Sequence, residues 1–373
     1  MKENKLNVLS LFDGMSCGQQ ALERSGFNIE NYYASEIDKY AIQVTMANYP
    51  NTKQLGSVVN VDGYSLPIID LLLGGSPCQS FSFAGKRKGM STKDEQEILT
   101  LDHYLQLKSE DYEFEGQSYL FWEYMRLLNE LRSKNPNVYF LLENVEMGEK
   151  WEKVLNKAIG VKGIHINSSL VSAQNRKRIY WTNIGMEQSG LFGDFESIIK
   201  KPIDKTILLK DILENEVDDK YFINAENTKR LLNLINNQKV NDNDLLDIYN
   251  QKIHKNKSTC ISAQISSSNS IFIVHNLQQR SADRPAIQKN KNAGGSGHLS
   301  RDDGKTYCLD SQNTQAIEIV ENQRIRRLTP IECERLQTVK DNYTNHVSDS
   351  QRYKMLGNGW TIDVISHILN YMK

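Results

Sequence analysis

The sequence predicts an α/β fold, a mostly parallel sheet with helices on both faces, joined to a smaller, loop-rich mixed domain. Three observations predict it. Residues 1–183 alternate short apolar runs with stretches of helical periodicity. The apolar runs are rich in β-branched and aromatic residues and end in Gly, Ser, Asn or an acid, where strands give way to turns. The regular alternation fades past residue 184 and tightens again only at about residue 325. Strands separated by helices pair in parallel and are covered on both faces.

Taken in order, "NVLSLF" (7–12) is the first strand candidate and "GQQALERSGF" (18–27) the first crossover helix, stopped at Gly26. "YYASEI" (32–37) is a second strand. "DKYAIQVTMANYP" (38–50) is a helix halted before Pro50. "IIDLLLGG" (68–75) is a strand that stops at two glycines. "YLFWEYMRLLNELRSKNP" (119–136) has apolar residues at helical spacing and ends before Pro136. "VYFLLENV" (138–145) and "RIYWTNI" (178–184) complete the strand candidates. Near the C-terminus, "LTPIECERLQ" (328–337) opens with a capping threonine, and "TIDVISHILNYM" (361–372) is a closing amphipathic helix. The pattern therefore divides the chain into a large domain of 1–183 plus 325–373 and an inserted domain of 184–324.

A chain of 373 residues allows one large domain or two ordinary ones. Its 39% hydrophobic and 24% charged residues are those of a globular protein. No run approaches the ~18 apolar residues of a membrane span, and the N-terminus lacks signal-peptide anatomy. Five cysteines with no CxxC pair argue against a disulfide framework or a zinc site, so no metal is expected and a reducing cytoplasm fits. The net charge of −1 hides an asymmetry. Residues 252–291 hold seven Lys/Arg against one acid, whereas 184–247 hold eight basic against thirteen acidic residues. A basic segment in a neutral chain points to a polyanionic partner, or to a solvated loop.

"LSLFDGMSCG" (9–18) is a strand entering a turn of small residues before a helix. Such a turn lets a ligand approach backbone N–H groups at a helix N-terminus. Glu36 closes the next strand candidate, 22 residues after Gly14, where an acid commonly grips a ribose diol. The pair points to an adenosine-containing cofactor. The pattern is not GxGxxG, which disfavours a nicotinamide cofactor.

"LLLGGSPCQSFS" (71–82) puts Cys78 on a tight turn at a strand's carboxyl end, where parallel sheets place their ligands. A cysteine there is a nucleophile candidate, although a lone cysteine is more often a small buried hydrophobe. Its neighbours distinguish the two readings. "GGSPCQSFS" resembles the Pro-Cys motif of the DNA (cytosine-5)-methyltransferases of prokaryotic or phage type. Further motifs similar to that family's follow in order: "LSLFDGMSCG", "ASEID", "LLENVEM", "QNRKRIYW", "RRLTPIECERLQ" and "GNGWTIDVISHI". Together they cover 1–183 and 325–373.

The resemblance implies an S-adenosylmethionine-dependent, Rossmann-like methyltransferase sheet. It implies a cofactor pocket formed by Phe12, Gly14, Met15, Ser16, Cys17, Glu36, Ile37, Ser57, Pro77, Asn358 and Trp360, and catalysis by Cys78, Glu143, Arg176 and Arg178. Three positions depart from the family pattern. Ser16 and Cys17 stand where most members carry glycines. Ser57 follows Gly56 where an aspartate expected to meet the adenine amino group is usual. Trp360 replaces a Ser-Val step, as in some branches. The segment between Cys78 and Tyr119 is also long, with the acidic insert "KDEQEILTLDHYLQLKSEDYEFEG".

The implied chemistry suits these residue types. Cytosine C5 is a poor nucleophile, and thiolate addition at C6 makes it enamine-like. Glycines permit the bend before Cys78 and Pro77 stiffens it. Negative charge builds toward N3, where Glu143 can hydrogen-bond or donate a proton; donation needs a raised pKa, which burial supplies. Arg176 and Arg178, at i and i+2, face the same side of a strand. One can reach the cytosine O2 or pin Glu143, and the other can meet phosphate. A stacked cytosine hides C6, so the base must be extruded.

The expected partner is double-stranded DNA. Ser80, Ser82, Lys86 and Arg87 lie on the loop after Cys78, and Gln264, Arg280, Arg284 and Arg301 lie in the inserted target-recognition domain. A monomer is expected, which could protect host DNA beside a cognate restriction enzyme acting on the same site or protect phage DNA. Two other readings keep the fold: a tRNA cytosine-C5 methyltransferase and an inactive DNA-binding paralogue. A dehydrogenase would leave Cys78 unexplained.

Overall fold

The computed structural model describes residues 5–77, 90–189, 193, 195–222 and 324–372, together with five strands between them. A seven-stranded sheet runs in the order β3-β2-β1-β4-β5-β7-β6. Its strands are β1 (Leu6–Leu11), β2 (Ile29–Ser35), β3 (Lys53–Gln54), β4 (Leu71–Gly74), β5 (Tyr139–Val145), β6 (Ile164–Asn167) and β7 (Lys177–Thr182). The first five strands pair in parallel. β7 runs antiparallel to both β5 and β6. The short 168–176 connection from β6 to β7 allows only a hairpin-like return, not a crossover.

The sheet is covered on both faces, and strand alternation divides its side chains between them. Val8, Leu71, Leu73 and Tyr180 enter one apolar core; Leu9, Leu11, Leu72, Ile179 and Trp181 enter the other. Burial on both faces is why "LLLG" and "FLL" read as continuous apolar runs.

The first core is closed by α1 (Cys17–Arg24) and three C-terminal helices, α6 (Pro330–Leu336), α7 (Asp349–Asn358) and α8 (Ile362–Leu369). α8 packs on α1, where the Ser366 hydroxyl donates to the Ala21 carbonyl at 3.1 Å and Arg24 pairs with Asp363. α6 begins as the sequence signals. The Thr329 hydroxyl accepts from the Glu332 N–H, the Glu332 carboxylate accepts from the Thr329 N–H, and Pro330 occupies the first turn. Residues 184–324 read as the second domain from sequence, and the start of that stretch contributes Ile184, Ile199, Leu209 and Ile212 to this same core.

α4 (Phe121–Lys134) and α5 (Glu149–Ile159) cover the other face. α5 lies outside the sequence expectation. It buries Trp151, Leu155 and Ile159 at four-residue spacing and ends on Gly160 at φ +88°, a left-handed stop that favours glycine. The insert after residue 90 also carries an unanticipated helix, α3 (Leu101–Ser109), capped by Thr100. Tyr104 of α3 packs on Phe114 and Tyr119, and its hydroxyl donates to the buried Glu123 carboxylate of α4 at 2.5 Å. The acidic-looking insert is thus anchored by an aromatic cluster. α2 (Lys39–Asn48) follows β2, capped by the Asp38 side chain.

Past residue 222, the described strands Phe272–Asn276, Leu299–Arg301, Gln315–Ile319 and Arg324–Arg327 form an antiparallel sheet. Strands Leu245–Asp247 and Lys252–His254 form a separate pair. A buried ion pair from Arg326 to Glu332, at 2.7 Å, ties the four-stranded sheet's last strand to α6.

Candidate active site

The strand order reverses between β1 and β4, so the crevice at their carboxyl ends is the natural ligand position of this sheet. Four strand ends meet there. β1 leads into the turn 12–16. Three of its five residues are left-handed: Phe12 at φ +57°, Gly14 at φ +57° and Ser16 at φ +62°. That conformation is costly for Phe12 and Ser16, so surrounding bonds must hold it. Glu36, just beyond β2, does so from one side. Its carboxylate accepts from the N–H groups of Gly14 (2.8 Å), Ile37 (2.7 Å) and Asp38 (2.8 Å). Asp13 does so from below, accepting from the Ser16 hydroxyl at 2.7 Å and the Tyr32 hydroxyl at 2.8 Å.

Beyond β4, Gly75 lies against the Trp360 indole. A Cβ at Gly75 would stand 2.7 Å from the ring nitrogen, so only glycine permits this approach. Ser76 is buried, and the Asn144 amide of β5 donates to its hydroxyl at 3.1 Å. Asn144 thereby ties the ends of β4 and β5 together two residues before position 78. Next to it, Glu143 is 8% exposed, and its carboxylate meets the Arg178 guanidinium at 2.9 Å.

The two arginines do not act alike. Arg178 pins Glu143, one of the roles expected from sequence. Arg176 is 3% exposed and donates to the carbonyls of Gly357 (3.1 Å) and Gly359 (2.9 Å). The clasp buries this guanidinium on backbone carbonyls, whereas Arg178 meets Glu143. Arg176 thereby fixes the turn that presents Trp360. Replacing Arg176 with alanine is expected to cost about 2–4 kcal/mol of stability in denaturant titrations, since two buried carbonyls lose charged donors. Cofactor affinity should fall with it. A phosphate contact would leave stability unchanged and alter the salt dependence of DNA binding.

The remaining predicted cofactor residues divide into two groups. Phe12, Gly14, Glu36, Ile37 and Ser57 are at least partly accessible, and Ile37 is 69% exposed beside the Glu36 carboxylate. Ser57 opens the short turn Val58–Asn60; the carbonyl of Gly56 before it is taken by the Ser35 hydroxyl at 2.8 Å. Trp360 is buried over Gly75, while Asn358 is exposed and Pro77 half-buried. By contrast, Met15 and Cys17 point into the apolar core, so only their backbone can serve a ligand, and the Ser16 hydroxyl is bound to Asp13. Burial pushes the Cys17 thiol up to about 12, so it stays neutral and cannot act as a nucleophile near pH 7.

Cys78, Ser80, Ser82, Lys86, Arg87, Gln264, Arg280 and Arg284 lie outside the described residues. Arg301 ends the strand Leu299–Arg301, in register with Val274. The sequence reading passed over Asp13 and underused Gln337, whose amide donates to the Leu356 carbonyl at 2.7 Å and supports the same C-terminal turn. An acid inside an otherwise small-residue turn was the available signal for Asp13. Among the described residues, no cluster of His, Cys, Asp or Glu is arranged to hold a metal, and no helix is long and apolar enough to cross a membrane.

Comparison with known proteins gives consistent matches. The profile of the C-5 cytosine-specific DNA methylases matches residues 6–373. The chain is 27% identical to the orphan methyltransferase M.SPRI of Bacillus phage SPR, covering 98% of this chain and 96% of that one. It is also 27% identical to the type II methyltransferase M.HgiCI of Herpetosiphon aurantiacus, covering 98% and 97%. Among solved structures, a DNMT2 mutant of Spodoptera frugiperda shares the fold with a TM-score of 0.54 at 18% identity, over 99% of both chains.

Proposed function

Because the chain belongs to the C-5 cytosine-specific DNA methylase family, and is thus a DNA cytosine methyltransferase, we propose that it methylates C5 of a flipped-out cytosine within a specific DNA sequence, through a covalent bond from Cys78 to C6. The observation that carries this reading is the junction of β4 and β5. Asn144 holds Ser76, and beside it Arg178 holds Glu143, so the approach to position 78 and the acid that serves the base share one rigid frame.

The cofactor crevice fits S-adenosylmethionine by the chemistry of its residues. Glu36 offers a carboxylate to a ribose diol, Ile37 an apolar face to adenine, and Trp360 a wall beside Gly75. Glu36 now accepts the Gly14 N–H, so ribose hydroxyls would share an acceptor that is already oriented. The Ser57 hydroxyl, or the second lone pair of the Gly56 carbonyl that already accepts from Ser35, meets the adenine edge in place of the usual aspartate. S-adenosylmethionine supplies an electrophilic methyl group when bound.

The protein's own groups do the rest. The Cys78 thiolate adds to C6, forming the C–S bond and moving electron density to C5. Glu143, in its protonated form, donates to N3 as charge builds there, and Arg178 keeps its carboxyl group in place. After C5 takes the methyl group, its proton leaves to a water or base, the C6–S bond breaks, and the thiolate is restored. We assign residues 184–324 to target recognition, the basic stretch 252–291 to phosphate contact, and the segment after Cys78 to base extrusion. The protein works as a monomer in the cytoplasm of a bacterium or phage-infected host, with or without a restriction enzyme of the same specificity. Its relatives include both an orphan and a type II methyltransferase.

Incubation with methyl-labelled S-adenosylmethionine and either duplex DNA or tRNA tests the proposal. Label is expected in DNA as 5-methylcytosine and absent from tRNA. Label in tRNA alone would replace the DNA reading, and label in neither would indicate an inactive paralogue.

A further inference from the structure

Asp13 lies at the heart of the cofactor turn, between the left-handed residues Phe12 and Gly14, and only 7% of it is exposed. Both of its carboxylate oxygens accept from neutral hydroxyls, those of Tyr32 and Ser16. Ser16 in turn accepts from the Gln19 amide at 2.8 Å, and Gln19 also donates to Thr52 at 2.7 Å. This network orients the carboxylate, and among the described residues no cation pairs with it. The nearby Glu36 carboxylate adds repulsion. A buried carboxylate ordinarily needs a charged partner, because hydroxyl donors offset only part of its lost hydration. Burial accordingly pushes its pKa up to about 6.

We propose that the missing partner arrives with the cofactor: Asp13 makes the turn selective for the cationic sulfonium of S-adenosylmethionine over the neutral thioether of the product, S-adenosylhomocysteine. The two ligands differ in one methyl group and one positive charge. A fixed negative charge in a low-dielectric turn therefore favours the substrate form and lets the product leave. Asp13 is a specificity-determining residue under this reading, which rests on S-adenosylmethionine being the methyl donor.

The facing groups leave the pH dependence to Asp13. Tyr32 of β2 and Tyr343 of the loop before α7 are pushed well above the ordinary tyrosine range by burial, and the Cys17 thiol of α1 is held at about 12. All three stay neutral between pH 5 and 7; Arg176 and Glu143 also act electrostatically on Cys17, and Asp13 is the group at the turn whose raised pKa falls in that window. Asp13 is charged above about 6 and neutral below it, so the preference exists at pH 7 and is lost as pH falls through 6.

Isothermal titration of both ligands against wild type and Asp13→Asn tests this without catalysis. The wild-type ratio of S-adenosylhomocysteine Kd to S-adenosylmethionine Kd at pH 7 should exceed that of the variant by about tenfold. It should drop toward the variant's value at pH 5. Glu36→Gln should keep the pH effect, and that arm with wild type suffices if Asp13→Asn fails to fold. Equal weakening of both ligands in the variant, or a wild-type ratio that is the same at both pH values, would overturn the proposal by making Asp13 purely structural. If neither ligand binds wild type, the cofactor reading itself falls, and this selectivity with it.

Discussion

Replacing Cys78 with serine is expected to abolish methyl transfer, with kcat down by at least about a thousandfold, while S-adenosylmethionine binds within about twofold of wild type. A thiol reaches its anion near neutral pH and a serine hydroxyl does not, so the variant lacks the nucleophile that must add to C6. Loss of the residue that forms the covalent bond removes most of the rate enhancement in other nucleophilic enzymes. The proposed cofactor contacts come from Glu36 and Ile37 beyond β2, Ser57 at the turn after β3 and Trp360 between α7 and α8, so affinity should not follow activity. Single-turnover methylation and calorimetric binding together check this. Parallel loss of both would mean that the cysteine holds the turn rather than attacking the base.

Glu143→Gln is expected to lower kcat by roughly 10²- to 10⁴-fold, the range of a lost general acid in the transition state. The substitution keeps the shape of a side chain that is 8% exposed. It removes the charge that Arg178 meets at 2.9 Å. Glutamine cannot give a proton to N3, and the guanidinium loses its ion-pair partner, so cytosine and Arg178 are both left less well served. Stability should fall by less than the ~3–5 kcal/mol of a fully broken buried pair, since the amide oxygen still accepts from Arg178. Activity measured under saturating cofactor, alongside a melting curve, separates the two effects. A variant that retains full activity would assign Glu143 to structure alone.

Much of this fold is legible in the sequence, because a parallel sheet buried on both faces must be apolar along its central strands. "LLL" and "FLL" carry that mark, and the glycines and the acid after them mark where the apolar runs stop. What escaped was decided by tertiary contact. α5 is an eleven-residue amphipathic helix whose charged face masks its three buried residues. α3 sits within a segment that reads as an acidic loop until Tyr104, Phe114 and Tyr119 are seen to pack together. The site follows the same division. Residue types suggested the roles proposed for Cys78, Glu143 and Glu36, but a two-residue spacing could not tell which arginine holds Glu143 and which holds the Gly357–Gly359 turn. That depends on where the C-terminal helices dock. Asp13 escaped because its carboxylate serves a network formed from β2, α1 and Thr52.

The most direct measurement is covalent trapping on duplex DNA in which 5-fluorocytosine replaces cytosine. Fluorine at C5 cannot leave as a proton does, so an enzyme that adds through Cys78 and methylates C5 should remain bonded to the base. Mass spectrometry of the digested complex should then find a methylated fluorocytosine on the peptide holding residue 78, only when S-adenosylmethionine is supplied, and none with Cys78→Ala. A catalytically active protein that forms no adduct, or one attached through another residue, would contradict the account.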